Sequence, residues 1–255
     1  METKIISVAN LKGGVGKTVT ARNVGAGLRE KGKKVLLIDN DPQAHLSGYL
    51  GFENDGKPTM TDLLFNAIQG NDIDFEQLIR VTEEGDHYIP SNKLLSGMES
   101  YINTLPNRDN IYSIIFQKEF FSKYDYVIID CLTFGGALFT NALVASNYVI
   151  IPVDAGVFAL DGMTDIEENI NSAKRYNPYL QILGILLTRV EMTLVADAVR
   201  EGIKDNYGTL LFNTEISKAT VVDQSIFNKQ SLLVTNNKPG EEYRQLVEEL
   251  FERGV

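Results

Sequence analysis

The residues best equipped for chemistry lie near the start of the chain. Lys17 and Thr18 follow Gly13, Gly14 and Gly16 in the run Ala9-Asn10-Leu11-Lys12-Gly13-Gly14-Val15-Gly16-Lys17-Thr18-Val19-Thr20. The pattern is close to G-x-x-x-x-G-K-[ST]. In that motif a turn presents backbone N–H groups to phosphate, a lysine reaches the terminal phosphates and a hydroxyl ligates Mg²⁺. Glycines suit such a turn because wrapping an anion needs close backbone approach and unusual dihedral angles. One position departs from the rule: Leu11 stands where the first glycine belongs, and a second lysine, Lys12, follows it.

Two further groups fit the same chemistry. Asp130 ends the apolar run Val127-Ile128-Ile129, where an aspartate can hold the water shell of Mg²⁺. Asp39 and Asp41 flank Asn40 in Asp39-Asn40-Asp41-Pro42-Gln43. That segment follows a strand, and ligands of open α/β sheets bind at the carboxyl ends of strands. The metal ligands expected are Thr18, Asp39 and Asp130.

The elements that must position these groups are legible as alternating patterns. Strands are expected over Lys4–Ala9, Lys34–Asp39, Asp86–Pro90, Tyr126–Asp130, Asn147–Val153 and Gln181–Thr188. Helices are expected over Thr18–Lys31, Thr61–Ile68, Leu94–Thr104, Asn110–Ser122, Ala137–Ala145, Met163–Arg175, Leu194–Asn206 and Glu241–Arg253. Strands that are apolar throughout are buried on both faces. Their alternation with helices predicts an α/β fold with a doubly wound, mostly parallel sheet and helices on both faces.

Composition bounds the rest. The 255 residues carry 44% hydrophobic residues, enough for a full core. A formal net charge of −10 argues against a protein that coats nucleic acid over its whole surface. The one cysteine, Cys131, excludes an internal disulfide and a cysteine-rich metal cage, which points to a reducing cytoplasm. The two histidines, His45 and His87, are far apart and make no zinc pattern. With no signal peptide and no apolar run of ~18–20 residues, no membrane span is expected. A single domain over 1–255 is expected, without an N-terminal helix-turn-helix extension.

Lys12–Thr18 resembles the deviant Walker A box of the ParA/MinD ATPases, and Asp39–Gln43 resembles the switch I motif D-x-D-P-Q of the ParA branch. Ile89–Asn92, Tyr124–Cys131, Asn141–Leu143 and Val149–Val153 are similar to further segments of that branch, in the same order. The likeness therefore covers nearly the whole chain. It implies a P-loop NTPase that uses ATP and Mg²⁺, hydrolyses ATP slowly by itself and forms a homodimer on ATP binding.

The resemblance also assigns roles. The extra lysine of this family reaches the partner's ATP across the dimer, so Lys12 is expected to offset repulsion between two facing nucleotides, on the order of several kcal/mol at intermediate dielectric. Lys17 is the phosphate clamp, and Asp41 orients the attacking water. Nucleotide contacts are expected from Lys12, Gly13, Gly14, Val15, Gly16, Lys17, Thr18 and Val19, with Asp130, Thr188, Arg189 and Ser217. The family further implies a ParB-like or adaptor partner that stimulates hydrolysis, non-specific DNA binding and a cytoplasmic, nucleoid-associated protein.

The chain departs from the family in three places. Leu132-Thr133-Phe134 replaces the usual Pro-Pro-Ser after Asp130, and Gly135-Gly136 follow. Val19 replaces a threonine, and Ile216-Ser217-Lys218 stands for Ile-Pro-Arg. The segment Lys174–Lys229 holds seven basic residues (174, 175, 189, 200, 204, 218, 229) and six acidic ones (191, 197, 201, 205, 215, 223), a net of +1. A DNA patch would have to be assembled by folding from Arg189, Arg200, Lys204, Lys218 and Lys229.

Rival functions lack their residues. A nitrogenase-like reductase needs two cluster-ligating cysteines, and a kinase of this superfamily needs a tyrosine-rich tail. A MinD-type membrane cycler would end in a basic amphipathic helix, whereas Glu241–Val255 is acidic and its Leu246, Val247, Leu250 and Phe251 stripe reads as core. Dethiobiotin-synthetase-like ligases would lack Lys12 and the D-P-Q switch. The reading is a partition or positioning ATPase for plasmid or chromosome segregation. The alternatives are a positioning ATPase for a protein cargo and a MinD-like regulator without DNA binding.

Overall fold

In the computed structural model, which describes residues 3–156, 159 and 161–255, each of the six apolar runs forms a strand. These are β1 (Lys4–Val8), β2 (Val35–Asn40), β4 (His87–Ile89), β5 (Tyr126–Cys131), β6 (Tyr148–Asp154) and β7 (Gln181–Thr188). A two-residue strand, β3 (Arg80–Val81), pairs antiparallel with β4 at one edge. The sheet order is β3-β4-β2-β5-β1-β6-β7, and every pair except β3–β4 is parallel.

Successive residues of each central strand feed two separate cores, because side chains alternate across a sheet. Leu36, Ile38, Val127 and Ile129 point into one core and Val35, Leu37, Ile6, Val8 and Ile128 into the other. The first core is closed by α3 (Met60–Gln69), α5 (Leu95–Ile102), α6 (Ile111–Phe116), α7 (Ala137–Ala145), α8 (Asp161–Ala173) and α9 (Leu194–Tyr207). The second is closed by α1 (Lys17–Glu30), the short α2 (His45–Tyr49) and α11 (Lys238–Glu252). The expected doubly wound α/β architecture is present.

The C-terminal stripe is core. Leu246, Val247 and Leu250 are fully buried against α1, and the two helices approach closely because Gly27 has no Cβ; one there would lie 2.8 Å from a Val247 methyl. Among the described residues no helix is long and apolar enough to cross a membrane.

Four differences from the sequence reading have local causes. Helix α11 starts at Lys238 rather than Glu241, because Asn237 caps it and Pro239 is tolerated in a first turn. The expected Asn110–Ser122 helix stops at Phe116, and Glu119–Lys123 winds as a 3₁₀ turn. That tighter turn buries Phe121 and stacks Phe120 on Phe75 at 4.7 Å. The short helices α2, α4 (Phe75–Leu78) and α10 (Thr220–Phe227) were too brief or too polar for a periodic signal. The two-residue β3 carries no alternation to detect.

Helix α1 also carries a fully buried arginine. Arg22 pairs with Asp86, and with Glu84 at 2.9 Å, while Arg29 reaches Asp86 at 2.8 Å. Burial alone would raise the Asp86 carboxyl, but the charges of Arg22 and Arg29 outweigh it and hold the group below its ordinary 3.8. A depressed folded pKa means that the unfolded chain takes up the proton first as pH falls. The stabilisation is complete above about pH 4 and is lost below it. Removing one partner leaves the other charge buried and under-compensated. Asp86→Ala is expected to cost about 3 kcal/mol at pH 7 by urea denaturation. The gap to wild type should narrow as pH falls below about 4.

Candidate functional site

The turn between β1 and α1 is built for an anion. Gly14 and Gly16 adopt φ of 75° and 81°, which a side chain would strain, and Gly16 is the N-cap of α1. The N-terminus of α1 therefore opens onto the turn with its backbone N–H groups directed outward. Two bonds hold the approach from β1: Lys12 N–H donates to Asn10 Oδ1 at 2.9 Å, and Asn10 Nδ2 donates to Pro152 O at 2.8 Å. From the other side, Thr188 Oγ1 lies 2.9 Å from Val15 O, and Arg189 Nη1 donates to Gly14 O at 3.4 Å.

Lys17 is buried, and its Nζ crosses the turn to donate to Lys12 O at 3.2 Å. Burial lowers its pKa, opposed by the charge of Asp130. Asp130 and Asp39 are register partners on β5 and β2, both essentially without solvent exposure. Neither Asp130 oxygen has a hydrogen-bond partner, although the Thr18 hydroxyl is near enough to favour its charged form. Burial, and next the charge of Asp39, push the Asp130 carboxyl well above its ordinary range. Burial raises Asp39 to about 6 despite its bonds to Ser47 and Asp41. Two buried carboxylates and one desolvated lysine make a cluster that an added cation would stabilise.

These residues suit Mg²⁺ and a nucleotide. The orphaned Asp130 carboxylate and the Thr18 hydroxyl supply oxygen donors at the mouth of a glycine turn. Among the described residues, no cluster of three or more His, Cys, Asp or Glu gathers around a metal position. The Asp130 and Thr18 oxygens suit Mg²⁺, which keeps waters and phosphate oxygens as ligands and takes few from protein.

The cavity beside the turn measures about 570 Å³. Gly13, Gly14, Gly16, Lys17, Thr18, Val19, Asp41, Thr188, Arg189 and Ser217, all expected from the sequence, line it. Tyr49, Val222, Ile226 and Tyr243 add an apolar and aromatic wall that the sequence reading did not include.

Two assigned residues, Asp39 and Ser217, turn out to hold other segments in place. Asp39 gives both oxygens to its own loop: Oδ1 accepts from Asp41 N–H at 3.1 Å, and Oδ2 accepts from Ser47 N–H and Ser47 Oγ, each at 2.7 Å. It anchors the switch segment, while Asp41 lines the cavity and accepts from Gln43 N–H at 2.8 Å. Ser217 turns its N–H and hydroxyl toward the Glu242 carboxylate of α11, at 2.7 and 2.6 Å. Its side chain is thereby committed to holding the cavity wall. Ser47 and Glu242 were invisible beforehand, since nothing local marks a serine or glutamate that bonds a distant segment.

The five candidate DNA contacts line cavities or meet neighbouring carboxylates. Arg189 and Lys218 lie together beside the cavity, and Arg200 and Lys204 share another surface. Lys229 packs against Gly51. Arg200 is paired with Glu215 and with Asp197, the latter at 2.7 Å. Lys218 meets Glu191 at 3.2 Å and Lys229 meets Glu53 at 3.5 Å.

Comparison with known proteins agrees with this geometry. A family model described as an AAA domain matches residues 3–182. The chain is 31% identical to the chromosome partitioning protein ParA of Myxococcus xanthus, over 98% of this chain and 88% of that protein. A putative plasmid partition protein of Borrelia burgdorferi, solved with AMPPNP, superposes with a TM-score of 0.84 at 26% identity, covering 100% of each chain. A Mycobacterium smegmatis protein described as cobyrinic acid a,c-diamide synthase, solved with ADP and magnesium, gives 0.85 at 28% identity over 99% of this chain and 96% of that one.

The Ser47 hydroxyl also accepts from Ser91 N–H at 2.9 Å, so it ties the switch loop to the end of β4. Ser47→Ala leaves that buried N–H without its acceptor and removes one donor to Asp39. The expected cost is about 1–3 kcal/mol of unfolding free energy. A urea midpoint unchanged from wild type in nucleotide-free protein would contradict this account of the loop.

Proposed function

The chain belongs to the ParA branch of the ParA/MinD ATPases, a ParA-type positioning ATPase, and on that premise we propose that it cycles between an ATP-bound homodimer and a released monomer. The observation that carries the reading is the buried Asp130, register partner of the buried Asp39, close to the charge of Lys17 at a glycine turn that also carries Lys12. ATP and Mg²⁺ are the cofactors proposed. When bound, they supply a γ-phosphate whose presence is read and whose cleavage resets the cycle.

The protein's own residues divide the work. Lys17 and the N–H groups of Gly13–Thr18 hold the phosphates, and Thr18 with Asp130 hold the metal. Asp39 keeps the switch loop in place so that Asp41, at the cavity wall, orients the attacking water. The aromatic wall of Tyr49 and Tyr243 suits the base. Lys12 serves the partner's nucleotide across the dimer, where a donated cation offsets like charge.

The partner proposed is a ParB-like or adaptor protein that stimulates hydrolysis. The place of action proposed is the cytoplasm, on the nucleoid. A single chain of net charge −10 binds duplex weakly, so DNA binding requires the dimer, which doubles any basic surface. The acidic partners of Arg200, Lys218 and Lys229 favour the second reading, a positioning ATPase for a protein cargo that does not use DNA. A single ATPase domain over residues 1–255 is part of the proposal.

Sedimentation with a non-hydrolysable ATP analogue tests the lysines. Lys17→Ala is expected to abolish nucleotide binding. Lys12→Ala is expected to bind as a monomer, with affinity within about threefold of wild type, and to lose the ATP-dependent dimer. A normal dimer in Lys12→Ala sinks the trans role.

A salt series with random-sequence duplex separates the two cargo readings. DNA binding that needs ATP should weaken with salt at a slope of about −0.9 per phosphate contact and fall further in Lys218→Glu. Absence of binding at low salt selects the protein-cargo reading.

A further inference from the structure

Between the two aspartates of the switch segment, Asn40 is fully buried and bonded in two directions. Its Nδ2 donates to Leu138 O at 3.1 Å, and its Oδ1 accepts from the Tyr112 hydroxyl at 2.6 Å. Leu138 lies in the first turn of α7, directly after the Leu132–Gly136 segment that follows Asp130. Tyr112 is on α6 and is fully buried as well. Burial drives its phenol well above the ordinary 10, so the group stays protonated and remains a donor.

The first turn of α7 is held from other sides too. Glu99 of α5 accepts from Ala137 N–H and, at 2.9 Å, from Leu138 N–H. Asn141 accepts from Tyr112 N–H at 3.2 Å, which locks α6 to α7. A Cβ on Gly136 would collide with the Glu99 carboxylate. The exit of the loop after Asp130 is thus pinned by side chains, where the loop itself carries two glycines and no proline. Of these pins, Asn40 is the one that belongs to the strand end carrying Asp39 and Asp41.

A leucine of similar size would fill the same space. Only an amide bonds both the α7 carbonyl and the α6 hydroxyl. We propose that Asn40 is a positioning residue that couples the Asp39–Gln43 segment to the Leu132–Leu138 segment, so that the two take up their nucleotide-bound arrangement together. The inference rests on the ATPase reading above, but its first readout needs no hydrolysis.

Hydrogen exchange of the full chain tests it, with and without Mg²⁺ and a non-hydrolysable ATP analogue, following peptides over residues 41–50 and 132–140. In wild type the analogue should protect both. In Asn40→Leu, protection at 41–50 should persist while that at 132–140 falls roughly tenfold, the scale of one buried hydrogen bond. Tyr112→Phe keeps the bond to Leu138 and should fall between the two; it also serves if Asn40→Leu folds poorly. Turnover should drop on the order of tenfold in Asn40→Leu with KM for ATP within about twofold, since the phosphate turn is untouched.

The double variant Asn40→Leu/Tyr112→Phe removes both polar groups and should recover thermal stability. Under the proposal it stays uncoupled. If it regains turnover and protection along with stability, the amide only holds the fold and the proposal is overturned. Wild-type protection and turnover in Asn40→Leu overturn it equally. If the analogue protects neither peptide in wild type, the nucleotide reading falls and takes the coupling with it.

Discussion

The hydrogen-bonded register of β2, β5 and β1 is the constraint on which the site depends. It sets Asp39 beside Asp130 and Val8 beside Asp130 on the other side, so the phosphate turn leaves the sheet at the level of both carboxylates. Register is strongly fixed here because both faces are buried. A one-residue slip would send Leu36 and Ile38 into the core that Leu37 now fills. The same apolar packing that stabilises the sheet therefore sets the spacing of the charged groups.

That placement costs stability and provides function. Two carboxylates without solvent and a lysine with depressed basicity are an unfavourable arrangement by themselves. Asp39 is partly relieved by three hydrogen bonds from Asp41 and Ser47, whereas Asp130 has only the nearby Thr18 hydroxyl to ease it. Asp39 is thereby tied to Asp41 and Ser47, while Asp130 sits near Lys17 and Thr18 at the mouth of the turn. A bound cation with phosphate oxygens would relieve the repulsion and would thereby link ligand binding to the order of the loop.

Around this centre the supporting bonds come from far along the chain. Glu242 on α11 holds Ser217, Thr188 on β7 holds the phosphate turn, and Glu99 on α5 holds the start of α7. Each satisfies backbone groups that a loop near a ligand pocket would otherwise leave unpaired. These segments are consequently held by two helices and a strand rather than by the loops' own sequence. The charged surface is arranged with equal economy: Arg200, Lys218 and Lys229 each face a carboxylate, which lowers the field available to an outside polyanion.

Much of this was determined by the sequence alone. The glycine spacing of Gly13–Lys17 dictates a phosphate turn, because few other sequences tolerate those φ values. The apolar runs ending in Asp39 and Asp130 dictate strands whose carboxyl ends meet the ligand, and their uniform hydrophobicity dictates burial on both faces. What the sequence left open were properties of pairs distant in the chain. That Asp39 Oδ2 accepts from Ser47, that Ser217 is held by Glu242, and that Asn40 reaches Leu138 and Tyr112 follow only from packing, since none has a local periodicity or motif. The fate of the basic residues was likewise undecided until folding placed Glu191, Glu215 and Glu53 against them. Local geometry is written in spacing, whereas the partner of a buried polar group is chosen by which segments the cores bring together.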